Sequence, residues 1–380
     1  MALVNYITQI QFDFGAISCL QAECERLGIK NPMIVTDAGV RGAGLVDRVL
    51  AQLKNSAAAG IYDQTPSNPT EAAARDALKM YVDGKFDGLI AIGGGSSMDL
   101  AKAVAVMATH PAGPLKNFAA VEGGAARITA ATAPIIAIPT TAGTGSEVGR
   151  GAVLILDDGR KLGILSPFIV PKVAICDPEM TLDLPAMLTA ATGMDAITHC
   201  FETFMAPSLN FPAEGIALDG LWRGWANIER ATKTPHDREA RFHMMSASTQ
   251  GALAFQKGLG AVHSLSHSLG GLNPRLHHGT LNAMFLPAVI TYNASAESMQ
   301  KAKKLERLAQ TIGVANATDV APAVKALNQR LGLPSGLAAM GVTEDMFDKV
   351  IASAMVDHCH FTNPRTPTVE DYKMLLKQSM

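Results

Sequence analysis

Two short apolar runs that each break into a loop of small residues constrain this chain most. Gly88-Leu89-Ile90-Ala91-Ile92 reads as a buried strand and runs into Gly93-Gly94-Gly95-Ser96-Ser97, after which residues 99–108 have helical character. Residues 134–139 form a further strand-like run, which ends in Thr140-Thr141-Ala142-Gly143-Thr144-Gly145-Ser146. Upstream, Met33-Ile34-Val35-Thr36 stops at Asp37 and is followed by a helical pattern over 45–53; Pro69-Thr70 then opens a helix over 70–81. Strand, loop and helix recurring in this order predict an α/β N-terminal domain whose open, mainly parallel sheet is covered on both faces.

Past about residue 185 the pattern changes. Residues 188–205, 213–230, 238–255, 298–312, 320–331 and 344–355 have helical apolar periodicity with no strand between them. The expected organisation is therefore an α/β domain over 1–184 and an all-α domain over 185–380, with a Pro-bearing boundary near 180–186. With 48% hydrophobic residues and 17% charged, the chain can bury a large core. A formal net charge of −2 offers no footprint for nucleic acid or an anionic membrane. The five cysteines include no C-x-x-C, so neither a disulfide framework nor a zinc ribbon is indicated. The N-terminus lacks a signal-peptide pattern and no uninterrupted apolar run spans a bilayer, which makes a cytoplasmic protein the expectation.

Chemistry enters at the loops. Gly93–Ser97 stands where a strand meets a helix N-terminus, and there glycines admit close approach of a ligand while backbone N–H groups favour phosphate. A tight turn with no ligand has the same sequence. Asp37 is placed either to accept from an adenosine ribose, repelling a 2′-phosphate, or simply to cap a turn. Two such loops ending neighbouring strands make a dinucleotide crevice the stronger reading. The chain has no G-x-G-x-x-G at its first strand and no P-loop.

In the helical half, Asp195-x-x-x-His199 and His263-x-x-x-His267 each put two polar side chains on one helix face, and His277-His278-Gly279 follows. Taken singly, each histidine reads more readily as a satisfied core or surface residue than as a ligand. Together, acid and imidazole amid apolar and small residues are costly to bury unless they share a partner, and one carboxylate with three imidazoles suits Fe²⁺ or Zn²⁺.

These motifs, together with Gly258 to His267, His278-Gly279 and Asn363-Pro364-Arg365, resemble the iron-containing (group III) alcohol dehydrogenases over nearly the whole length. The resemblance implies metal ligands Asp195, His199, His263 and His278, and an active-site His267 that does not ligate. It implies NAD contacts at Asp37, Gly94, Gly95, Ser96, Ser97, Thr140, Thr141, Thr144 and Lys161, with Leu182 beside the adenine. Phe255, Cys359, His360 and Arg275 are implied as pocket-wall residues. Two departures, a segment one residue shorter before Gly258 and one residue longer over 273–277, edit that wall.

The implied activity is hydride transfer between a primary alcohol or aldehyde and NAD(H), with Fe²⁺, or Zn²⁺, as the metal and a homodimer or larger homo-oligomer as the assembly. A short anionic hydroxy acid such as 4-hydroxybutyrate is the second substrate reading. An NAD-dependent lyase of the dehydroquinate synthase type is the third; it ordinarily carries more basic residues for a phosphorylated substrate than the stretch 195–278 provides.

Overall fold

The computed structural model describes residues 8–110 and 113–380. Strands β1 (Gln9–Phe12), β2 (Pro32–Val35), β3 (Gly60–Tyr62), β4 (Gly88–Gly93), β5 (Ile135–Pro139), β6 (Gly151–Ile155), β7 (Lys161–Leu165) and β8 (Val173–Cys176) all fall in the first half. Six of them form one parallel sheet in the order β1-β8-β5-β4-β2-β3, and β6 pairs antiparallel with β7 as a separate hairpin. Helices α1 (Leu20–Leu27), α2 (Ala38–Gly42), α3 (Leu45–Leu50), α4 (Glu71–Asp83) and α5 (Gly95–Thr109) accompany it.

The central strands explain why helices cover both faces. Met33, Val35, Leu89, Ala91, Ile135 and Ala137 enter one core with residues of α4 and α5. Ile34, Ile90, Ile92, Ile136 and Ile138 enter another with residues of α1 and α3. Alternate side chains go to opposite faces and both faces are dry, so the strands read as continuous apolar runs rather than alternating ones. Their parallel direction puts the ends of β2, β4, β5 and β8, at Asp37, Gly94, Thr140 and Asp177, on the carboxyl edge where doubly wound sheets bind ligands.

The second half is helical: α6 (Ala186–Met205), α7 (Phe211–Lys233), α8 (Arg238–Leu253), α9 (Ala261–Leu272), α10 (His278–Asn293), α11 (Glu297–Lys301), α12 (Lys304–Ile312), α13 (Val320–Arg330), α14 (Phe347–Ala354) and α15 (Val369–Gln378) share one core. By packing, the described residues separate into one unit of 8–141 and 146–183 and another of 142–145 and 184–380. Among the described residues no helix is long and apolar enough to cross a membrane.

Three helical expectations need correction. The helix expected over 298–312 is broken at Lys303, which has φ +47, and the break turns the Lys304 ammonium onto the carbonyls of Phe204, Met205 and Ala206 at the end of α6. Those carbonyls have no partner within α6, and satisfying them outweighs continuing a helix. Residues 254–257 leave the α-helix for a 3₁₀ turn, and so do Glu344–Met346.

Candidate metal centre and nucleotide loops

Helix α6 carries Asp195, His199 and Glu202, at i, i+4 and i+7, on one buried face. Helix α9 carries His263 and His267, and α10 opens on His278. Two glycines set how closely these helices meet. A Cβ at Gly279 would lie 2.1 Å from the Ala191 carbonyl oxygen, so only glycine lets the start of α10 rest on α6 beside Asp195. A Cβ at Gly260 would lie 2.5 Å from Asn363 Oδ1 and 2.9 Å from Glu202 Oε1. Those two atoms cap α9 in place of a local side chain: Ala261 N–H donates to Asn363 (3.0 Å) and Val262 N–H to Glu202 (2.8 Å). The Asn363-Pro364-Arg365 motif thus anchors the helix that bears His263.

The result is a convergence on one oxygen. Asp195 Oδ1 lies 3.4 Å from His199 Nε2, 3.8 Å from His263 Nε2 and 3.6 Å from His278 Nε2. Of the 277–278 pair, His278 faces Asp195, while His277 is exposed at the N-cap. Burial pushes His199 down to about 4 and His263 down to about 3, so both imidazoles are neutral at pH 7 with lone pairs to give. Asp195, His263 and His278 each offer a ligand atom within 4.8 Å of the others, and His199 Nε2 adds a further nitrogen 3.4 Å from Asp195 Oδ1, a donor set that fits a divalent cation.

Side chains that the sequence did not single out hold this group. Glu202 Oε2 accepts from His263 Nδ1 at 2.5 Å, which fixes the tautomer that leaves Nε2 free for a ligand bond. Burial raises Glu202 to about 7 against the hydrogen bonds it accepts. Asn282, one turn along α10 from His278, donates to Asp195 Oδ1 at 2.7 Å. Asp357 Oδ2 is 3.0 Å from His267 Nδ1; burial opposes its ionisation, but the His267 charge and hydrogen bond hold it well below the ordinary carboxylate range. Glu202 had a legible signal, its i+7 spacing from Asp195. Asp357 had none, because it lies 90 residues from His267.

Phe255 packs edge-on against the His199 ring, with centroids 4.8 Å apart. Cys359 is buried within reach of His267 and Asp357. His360 is buried with Nδ1 3.0 Å from the Tyr372 hydroxyl, and Arg275 is exposed; the expectation that these two line the pocket finds no support in their contacts.

In the sheet unit, Gly94 precedes α5 without a side-chain cap and lies beside Thr141, whose hydroxyl would be 3.4 Å from a Cβ there; backbone N–H groups at such an N-terminus suit a phosphate. Gly95, Ser96 and Ser97 form the first turn of α5. Asp37 caps α2 through Val40 N–H (3.0 Å) and accepts from Ser97 Oγ (3.3 Å), so it serves the turn and also faces the glycine loop. Thr140 is buried, with its N–H on Gly93 O. Lys161 Nζ donates to Asn68 Oδ1 (2.8 Å), and Leu182 ends the 3₁₀ turn Pro178–Thr181. Thr144 lies in 142–145, which packs with the helical unit. Sequence reasoning missed Lys102: fully buried, its ammonium donates to the carbonyls of Ser146, Gly149 and Gly151 and ties that loop to α5, while burial lowers its pKa to about 8.

Comparison with known proteins places the whole chain. The model described as iron-containing alcohol dehydrogenase matches residues 8–178, and that for the C-terminal part of the Fe-containing alcohol dehydrogenase family matches 189–380. The chain is 58% identical over 384 residues to a 4-hydroxybutyrate dehydrogenase of Cupriavidus necator, covering 100% of both. It is 33% identical to an NAD-dependent methanol dehydrogenase of Bacillus methanolicus, covering 96% of each. A solved 1,3-propanediol oxidoreductase superposes with a TM-score of 0.91 at 33% identity, covering 100% of both chains. The chain belongs to the iron-containing alcohol dehydrogenase family. It is an NAD-dependent oxidoreductase, which removes the lyase reading.

Proposed function

We propose that the chain interconverts a short ω-hydroxy carboxylate, of the 4-hydroxybutyrate kind, and its aldehyde, with NAD bound by an α/β domain over 1–184 and a divalent cation by a helical domain over 185–380. The carrying observation is the 58% full-length identity to the Cupriavidus necator enzyme, against 33% to the methanol dehydrogenase. This reverses the order of substrates expected from the sequence, where a simple primary alcohol came first.

Asp195, His199, His263 and His278 would hold the cation, and Asp37, Gly94, Gly95, Ser96, Ser97, Thr140, Thr141, Thr144, Lys161 and Leu182 would form the NAD site. When bound, the cation would lower the pKa of the alcohol and NAD would supply the hydride acceptor. His267 moves the alcohol proton: with Nδ1–H held by Asp357, its Nε2 is the basic nitrogen. Glu202 keeps His263 in its ligating tautomer, and Phe255 shields one flank of His199 from water. The same reading makes the enzyme a cytoplasmic homo-oligomer; its five cysteines are all free, as a reducing compartment requires.

The test is kcat/KM for 4-hydroxybutyrate against 1-butanol, in the wild type and in Arg275→Ala. The acid should win by more than tenfold, or ~1.4 kcal/mol in transition-state binding. Equal rates, or a preference for butanol, would return the simple alcohol to first place. Loss of the acid preference in Arg275→Ala would identify that exposed cation as the carboxylate's partner.

A further inference from the structure

A second set of metal-ligating side chains adjoins the Asp195 group through His267, whose ring lies 5.7 Å from that of His263 and 5.4 Å from that of His278. Asp357, His358 and Cys359 follow α14 in succession, and one ligand atom from each, with one from His267, lies within 4.8 Å of all the others. His267 Nδ1 and His358 Nδ1 are 3.0 and 3.8 Å from the same oxygen, Asp357 Oδ2. Their rings stack with centroids 5.7 Å apart at 25°. The chain is bent there by the Cys359 N–H, which donates to Asp357 Oδ1 at 2.8 Å and gathers three consecutive side chains together.

The donor chemistry differs from that of the first centre. Two imidazole nitrogens, a carboxylate oxygen and a sulfur make a tetrahedral set of the kind zinc prefers, whereas the Asp195 group has three nitrogens, one oxygen and no sulfur. Ligands at about 2.0–2.3 Å from a tetrahedral ion stand roughly 3.3–3.8 Å from one another. The group therefore needs to contract by about 1 Å, which side-chain rotation supplies. Burial, then the nearby Asp357 charge, pushes the Cys359 thiol up, so the sulfur keeps its proton until a cation replaces it.

We propose that His267, Asp357, His358 and Cys359 form a second divalent-cation site, matched to Zn²⁺, whose filling switches the enzyme off by engaging His267. Binding breaks the His267–Asp357 hydrogen bond. The Cys359 thiol proton leaves to solvent, the His267 proton moves from Nδ1 to Nε2, which ends that nitrogen's service as a base, and no electron moves. Zinc in excess over the first centre is thus an inhibitor that acts without displacing the catalytic ion.

The experiment uses the iron-loaded full-length protein, titrated with Zn²⁺ and separately with Co²⁺, and followed by elemental analysis, absorbance and turnover. A second ion per chain is expected with iron fully retained, together with a sulfur-to-cobalt charge-transfer band and at least a tenfold fall in kcat. Cys359→Ser should abolish the band and weaken zinc binding at least tenfold. His358→Ala, at a part-exposed side chain, should weaken it without disturbing the core. Asp195→Ala should keep the band, which separates this site from any error in reading the first. The proposal is overturned by one ion per chain at saturating zinc, by inhibition that tracks loss of iron, or by zinc affinity unchanged in both variants of the second site.

Discussion

Replacing Gly279 by alanine tests whether backbone contact between α6 and α10 builds the metal centre. The new Cβ would fall 2.1 Å from the Ala191 carbonyl oxygen and 2.9 Å from its carbon, both backbone atoms that cannot rotate away. An ordinary carbon–oxygen contact is about 3.3 Å, so the start of α10 must withdraw by ~1.2 Å. Overpacking of this kind destabilises by about 1–3 kcal/mol. His278 and Asn282 ride on the same helix, and they now stand 3.6 and 2.7 Å from Asp195 Oδ1. Such a withdrawal should weaken metal binding by roughly 10–100-fold and lower kcat on the order of 10²-fold. Affinity is read by chelator competition, stability by melting with and without metal. The matched control is Gly215→Ala on α7, where nothing lies within 4 Å of the new Cβ; there the better helix propensity should add about 0.5–1 kcal/mol. If Gly279→Ala melted and bound metal like the wild type, the close approach would not be what sets the site.

Four other outcomes follow from particular contacts. Alanine at Asp195, His199, His263 or His278 should strip metal and activity, whereas His267→Ala should keep its metal, by elemental analysis, and lose about 10²–10⁴-fold in rate; metal loss in His267→Ala would mean its role is that of a ligand. Glu202→Gln keeps an acceptor for Val262 N–H but not a carboxylate for His263 Nδ1–H, so it should fold normally and bind metal about 10–100-fold more weakly. Asp37→Gly should raise kcat/KM with NADP relative to NAD, because on the proposed placement it would remove a negative charge from beside the 2′ position; a wild type that already prefers NADP would refute that placement. Asp237 caps α8, and its hydrogen bond from Ala240 N–H, with Arg230 assisting, lowers its folded-state pKa. Its contribution is complete above about 3.9, the unfolded value, and is lost as pH falls through the folded one. The stability gap between wild type and Asp237→Ala, about 1 kcal/mol near neutrality, should therefore close in acid urea titrations, and a gap constant down to pH 2 would contradict it.

The parallel sheet was legible because β2, β4 and β5 are apolar without interruption, a pattern that only burial on both faces tolerates. Strands β1 and β3, at the two edges, were not legible: Gln9–Phe12 contains two glutamines and Gly60–Tyr62 is three residues long. An edge strand takes its conformation from the partner it pairs with. The β6–β7 hairpin, which pairs outside the main sheet, was also missed, and so was β8, although its Val173–Cys176 run is as apolar and as long as β2.

By itself the sequence determined which side chains share a helix face, since i and i+4 spacing is local geometry: Asp195 with His199, His263 with His267. What only the tertiary structure decided is which faces meet. Glu202 reaching His263, Asp357 reaching His267 and Asn363 capping α9 join residues 61, 90 and 102 positions apart, and no periodicity encodes such pairs. Gly260 lets Asn363 and Glu202 reach the start of α9, and Gly279 lets α10 rest on α6 beside Asp195, close enough for buried carboxylates and amides to find partners whose loss would be costly.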